Sequence, residues 1–192
     1  MRASTLCILG VVVLLSSCAS STPLAVEKLD PLTGVTVLSA TRPLVFYRDN
    51  SGYAAHARDY VYLGPIEINR MGARSYYLWL GIWSTMRDDL RQSPQRDGFE
   101  SVVLYVDGEP FPLEIEGWTP ASIGVSEQVY VRPVAGATDA FYRVTADQIR
   151  FMATASDIEL HTRGAQPAQY RLWDEQAQPS QSLRAFLGRA YD

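Results

Sequence analysis

The stretch "DYVYLGPIEINRMGARSYYLWLGIWST", residues 59–85, decides the fold. Its two halves, Asp59–Asn69 and Arg74–Thr85, alternate in the manner of strands. Arg70-Met71-Gly72-Ala73 between them reads as a turn. Pairing Asn69 with Arg74 around it puts Tyr60 opposite Trp83 and Tyr62 opposite Gly81, whereas a slip of one residue puts Tyr62 opposite Leu80. Within Ser75–Ser84, the even positions are Tyr76, Leu78, Leu80 and Ile82, and the odd ones are Tyr77, Trp79, Gly81 and Trp83. One side is mostly aliphatic and the other aromatic, so the strand has no polar face. Tyr60, Tyr62, Tyr77, Trp79 and Trp83 share the aromatic side, and Tyr62 across from Gly81 would cover exposed backbone. Such a row of rings is a candidate platform for a sugar ring or a partner's apolar side chain. Burial is the competing reading, because large exposed aromatic patches are rare on soluble domains. The C-terminal helix is the expected cover.

A second hairpin is equally local. In "SVVLYVDGEPFPLEIEGW", residues 101–118, Asp107-Gly108 separates two alternating runs. Asp-Gly suits a type I′ turn, which needs positive φ at both central residues. The register then pairs Val106 with Glu109, Leu104 with Phe111 and Val102 with Leu113. Pro110 and Pro112 lack amide donors and place the second strand at an edge. Further strands are expected at Val35–Ser39, Leu44–Tyr47, Glu127–Val134, Ala140–Val144, Ile158–Thr162 and Ala168–Trp173. At Thr145 the period changes. Thr145 and Gln148 form a capping box, and Ile149, Met152 and Ala153 follow at helical spacing. A last helix begins near Ser180, with Leu183, Phe186, Leu187 and Ala190 on one stripe. The expected fold is mainly β: an antiparallel sheet or β-sandwich with two helices packed on it, at about 146–155 and 180–190.

The chain opens with "MRASTLCILGVVVLLSSCAS". Arg2 precedes an apolar run, Leu6–Leu15, too short for a mature membrane span and laid out as a secretory signal. Leu15-Ser16-Ser17-Cys18 resembles the lipobox of bacterial lipoprotein precursors: an aliphatic residue, two small residues, then cysteine. The resemblance covers only residues 1–20. It implies that residues 1–17 are removed and that Cys18 becomes the lipid-bearing first residue. In that family an Asp after the cysteine often retains the protein in the inner membrane. Ala19 stands there instead, which implies the outer membrane, with the domain facing the periplasm. Residues 18–34 then read as the lipidated N-terminus and tether, and 35–192 as a single globular domain.

Cys7 and Cys18 are the only cysteines, so the mature domain has no disulfide to hold it. Loss of residues 1–17 leaves sixteen basic and twenty-one acidic side chains, a net charge of −5. An acidic exported domain is a poor partner for nucleic acid.

Candidate chemistry is sparse. His56 lies in a loop near Arg58 and Asp59, and His161 sits on the outward parity of its strand. Gly124-Val125-Ser126-Glu127 begins like a nucleophile elbow, but Gln128 stands where the second glycine belongs. It reads as a turn. No glycine-rich loop supports nucleotide binding, no metal-ligand spacing is present, and Asp88-Asp89 lacks the repeated oxygen ligands of a calcium loop. No cofactor is expected. The expectation is a lipid-anchored envelope protein, a binding or scaffolding module and not an enzyme, held at the membrane through Cys18. Its partner would be another envelope protein, or a saccharide bound on the aromatic face. A hydrolase using His56 or Ser126 with a distant carboxylate is the remaining alternative.

Overall fold

In the computed structural model the described residues are 23–50, 57–86, 96–173 and 179–190. Ten strands and two helices follow one another: β1 Ala25–Leu29, β2 Thr36–Ala40, β3 Leu44–Asp49, β4 Arg58–Arg70, β5 Ala73–Ser84, β6 Ser101–Val106, β7 Glu109–Gly117, β8 Thr138–Val144, α1 Ala146–Thr154, β9 Ile158–Thr162, β10 Gln169–Leu172 and α2 Pro179–Ala190. The β4–β5 hairpin has the expected register, with Tyr60 opposite Trp83, Tyr62 opposite Gly81 and Asn69 opposite Arg74. In the β6–β7 hairpin Val106 faces Glu109, Leu104 faces Phe111 and Val102 faces Leu113. Asp107 and Gly108 both take positive φ, 49° and 84°, as the turn requires.

The sheet is not one layer of a sandwich. Every strand pairing is antiparallel, and the order β4-β3-β10-β9-β6-β7-β8-β5 returns to β4, closing an eight-stranded barrel. Closure removes the edges that an open sheet leaves to be covered. Its thinnest seam is β7–β8. Pro110 and Pro112 carry no amide hydrogen, and pairing to β8 begins only beyond them, at Ile115. β1 and β2 lie outside the ring as a two-stranded ribbon. β2 continues past β3 along the same side of β4, pairing Thr36 with Asn69 and Ser39 with Ile66.

The barrel is filled with side chains. Phe46, Val61, Leu63, Leu78, Leu80, Leu104, Leu113, Tyr142, Leu160 and Tyr170 belong to one buried cluster. Ile149 and Met152 of α1, with Leu183, Phe186 and Ala190 of α2, join it, so both helices pack against the core that fills the barrel. The Thr145–Gln148 capping box starts α1 as its sequence predicts.

Three further differences from the sequence reading have physical causes. β1 falls inside the segment read as a tether, because Ala25–Leu29 pairs with Leu29's partner Thr36 through Ala40 of β2. Glu127–Val134 is not a strand: it lies in an irregular excursion, 118–137, between β7 and β8. The C-terminal helix does not cover the aromatic face, because its apolar stripe is committed to the aliphatic core.

Candidate functional site

The aromatic face of β5 is the outer wall of the barrel, and the excursion 118–137 covers part of it. Ile123, Val125, Tyr130 and Phe141 join Val35, Val37, Ile66, Ile68, Tyr77 and Trp79 in a second buried cluster. Tyr130 stacks on Trp79, with ring centroids 4.6 Å apart and planes 13° from parallel. Its hydroxyl donates to the Pro65 carbonyl at 2.7 Å and accepts from the Ala40 amide at 3.1 Å. Burial pushes the Tyr130 phenol far above its usual range. The Trp79 indole donates to Asp139 at 2.9 Å, and Gln128 and Arg132 donate to the other carboxylate oxygen at 2.7 and 2.6 Å. Tyr77 and Trp79 are 8% and 1% exposed, which corrects their reading as ligand contacts: they are core. The ring against Gly81 belongs to Trp79, two residues back on the same strand, and a side chain there would strike it.

Tyr60, Tyr62 and Trp83 lie further along the outer wall. Tyr60 is sandwiched between Trp83, 4.6 Å away and 13° from parallel, and Trp173, 5.6 Å away and 19° from parallel. Tyr62 meets Trp83 edge-on at 6.3 Å. Tyr47 leans on Trp173, and the Arg58 and Arg171 guanidiniums sit 5.3 and 4.9 Å over the Tyr47 ring. Asp49 binds both arginines. The rings turn their faces to one another and to cations, so Tyr60 has no free face for a sugar to stack on. The sequence missed Tyr47, Arg58, Arg171 and Trp173 because the β3–β10 pairing that gathers them joins distant segments.

The other predicted groups separate. Cys18, His56, Asp88 and Asp89 lie outside the described residues. The Ser126 hydroxyl donates to Asp30 at 2.5 Å, and the Ser126 amide donates to the second Asp30 oxygen at 2.6 Å. Amides of Leu32 and Thr33 also point to Asp30. The Ser126 hydrogen bonds hold the Asp30 carboxyl well below the usual carboxylate range. This is the geometry of a clasp that fastens the excursion to the β1–β2 turn. His161 bonds Glu159 at 2.9 Å and packs on Tyr105, and that bond lowers the Glu159 carboxyl. Among the described residues no group of three or more His, Cys, Asp or Glu side chains is placed to hold a metal ion.

The ribbon offers a different kind of site. Among the described residues β1 is the terminal strand of the sheet and pairs with β2 alone. The Asp30 amide donates to Val35 and the Thr41 amide donates to Leu24. By the two-residue alternation of an antiparallel ladder, Leu24, Val26, Lys28 and Asp30 bond to β2, and Ala25, Glu27 and Leu29 turn their N–H and C=O groups outward. Beside this edge runs a half-open groove of about 180 Å³, lined by Val26, Val37, Val125 and Val129 together with polar and charged side chains of the ribbon and the excursion. The Lys28–Glu127 ion pair joins β1 to the excursion at the same groove. The sequence signal for this site was Ala25–Leu29 itself, which reads as part of the tether until β2 is seen beside it.

The fold and this edge define the class: a closed, filled, antiparallel eight-stranded barrel carrying an added ribbon with one unpaired edge. Compared with protein-family models, with curated proteins and with solved structures, the chain shows no match.

Proposed function

We propose that the chain is a lipid-anchored envelope protein that acts by binding, without catalysis, at the periplasmic side of the outer membrane. The observation that carries this reading is how near the sheet starts to the lipobox-like cysteine. β1 begins at Ala25, seven residues beyond Cys18. Seven extended residues reach about 25 Å at most. Acylation of Cys18 therefore holds the barrel against the bilayer surface, and several acyl chains make that attachment stable. A side-chain-filled interior leaves the outer wall and the ribbon as the surfaces that meet other molecules.

Membrane fractionation of the full chain and of Cys18→Ala tests the anchor. The parent chain floats with membranes and partitions into a detergent phase, and the variant is recovered in the soluble periplasmic fraction. Equally tight retention of the variant overturns the reading. The saccharide alternative has less support, because the Trp83–Tyr60–Trp173 stack uses its own ring faces. The hydrolase alternative has less still, because Asp30 already engages Ser126.

A further inference from the structure

We propose that β1 is a docking edge to which an extended segment of another envelope protein adds as an antiparallel strand. The proposal rests on the binding-module reading above and names the site and the kind of partner. Glu27 and Leu29, both exposed, direct two amides and two carbonyls away from β2, and among the described residues neither has a backbone partner there; Ala25 shares their ladder phase but is buried in the core, so the accessible edge begins beyond it. A row of unmatched donors and acceptors at strand spacing is complementary to one thing, an extended backbone. Among the described residues the ring is paired strand to strand, and its thinnest seam, β7–β8, lacks donors at Pro110 and Pro112.

The side chains specify the occupant. Glu27 is exposed and has no ion-pair partner among the described residues, so a Lys or Arg directly across from it is favoured. Leu29 is 62% exposed and calls for an apolar residue across from it. On the other face, Val26 is 44% exposed and lines the groove with Val37, Val125 and Val129, and a β-branched neighbour would extend that apolar surface. In an antiparallel partner this reads, from its N-terminus, apolar, β-branched, basic, β-branched. The same charge argues against a second copy of this chain. Two β1 strands paired about a two-fold axis over their whole length bring Glu27 opposite Glu27, a like-charge pair.

The test uses the full lipidated chain in detergent micelles and a fluorescent, end-blocked heptapeptide, Thr-Leu-Val-Lys-Val-Ala-Thr, read by anisotropy. Saturable binding is expected, weakened about tenfold when Glu replaces the peptide's Lys. Glu27→Lys reverses that preference. Glu27→Pro abolishes binding while the unfolding midpoint stays unchanged, because the Glu27 amide points away from β2. Lys28→Pro is the contrasting case, since it takes a bond from β2 and lowers the midpoint. Absence of binding to the Lys peptide, equal binding of both peptides, or undiminished binding by Glu27→Pro overturns the proposal. A dimer that forms with concentration and is lost in Glu27→Pro assigns the edge to a second copy and overturns it too. The Cys18→Ala chain is measured in parallel: its peptide binding is expected to match the parent's, so failure of the anchor and failure of the edge give separate results.

Discussion

Tyr130 lies flat on Trp79, centroid to centroid at 4.6 Å, although 51 positions of chain separate them and Tyr130 belongs to no regular element. The contact turns an irregular excursion into the outer layer of a second core. Its phenol also satisfies the Pro65 carbonyl and the Ala40 amide, so one side chain ties the excursion to both β2 and β4.

Tyr130→Phe keeps the stack and loses both hydrogen bonds, leaving two buried backbone groups unpaired. A loss of about 1–3 kcal/mol is expected in urea unfolding. Tyr130→Ala removes the ring as well and should cost about 3–5 kcal/mol. Equal costs for the two variants would mean that the ring contributes nothing.

Gly64→Ala attacks the same contact from below. A Cβ at Gly64 would overlap the Tyr130 ring, and that ring is held by its stack on Trp79. Overpacking of about 1–3 kcal/mol is expected. Combining Gly64→Ala with Tyr130→Ala should relieve the clash, so the double variant is less destabilised than the sum of the singles. Additive effects in a double-mutant cycle would contradict the geometry.

Asp139 is 1% exposed and receives Trp79, Gln128 and Arg132. Asp139→Ala strands the buried indole N–H and releases Arg132, which is already part-exposed. The expected loss is about 2–3 kcal/mol, below that of a fully buried pair because Arg132 can rehydrate. Asp139→Asn retains an acceptor for the indole and should cost less. Trp79 fluorescence should report greater solvent access in the alanine variant.

The two hairpins were legible in the sequence because their causes are local. Asp107-Gly108 fixes its own turn, and the four residues Arg70–Ala73 between the alternating runs bring Asn69 opposite Arg74. Closure was not legible, since β5–β8, β3–β10 and β6–β9 join segments far apart in the chain. The stripe on α2 showed that the helix buries one face, but both faces of β5 are apolar and either fits. The excursion defeated pattern reading altogether. Val129-Tyr130-Val131 resembles part of a strand, yet Val131 is exposed and Tyr130 is held by contacts rather than by a ladder. The edge site depended on the same non-local information, because the unpaired side of β1 is defined only once β2 occupies the other.

Acid titration separates two carboxylates shifted in opposite directions. The Ser126 hydrogen bonds depress Asp30, so its contribution is fully present above the ordinary Asp range and is lost as pH falls through the lower folded value. Burial raises Glu67, with Arg74 partly opposing it, and one Glu67 oxygen is buried without a partner. Its folded state binds a proton more tightly than the unfolded chain, so its cost at neutral pH eases as pH falls through the raised value toward the ordinary Glu range. Glu67→Gln should therefore raise the urea midpoint at pH 7 and remove the gain seen on mild acidification. Asp30→Asn should lower the midpoint at pH 7 and flatten the loss below pH of about 4, where the parent chain gives way. Measured from neutral pH downward, the parent midpoint should first rise or hold and then fall. A midpoint in Asp30→Asn that still tracks the parent below the ordinary Asp range would show that the Asp30–Ser126 clasp does not govern the acid limb.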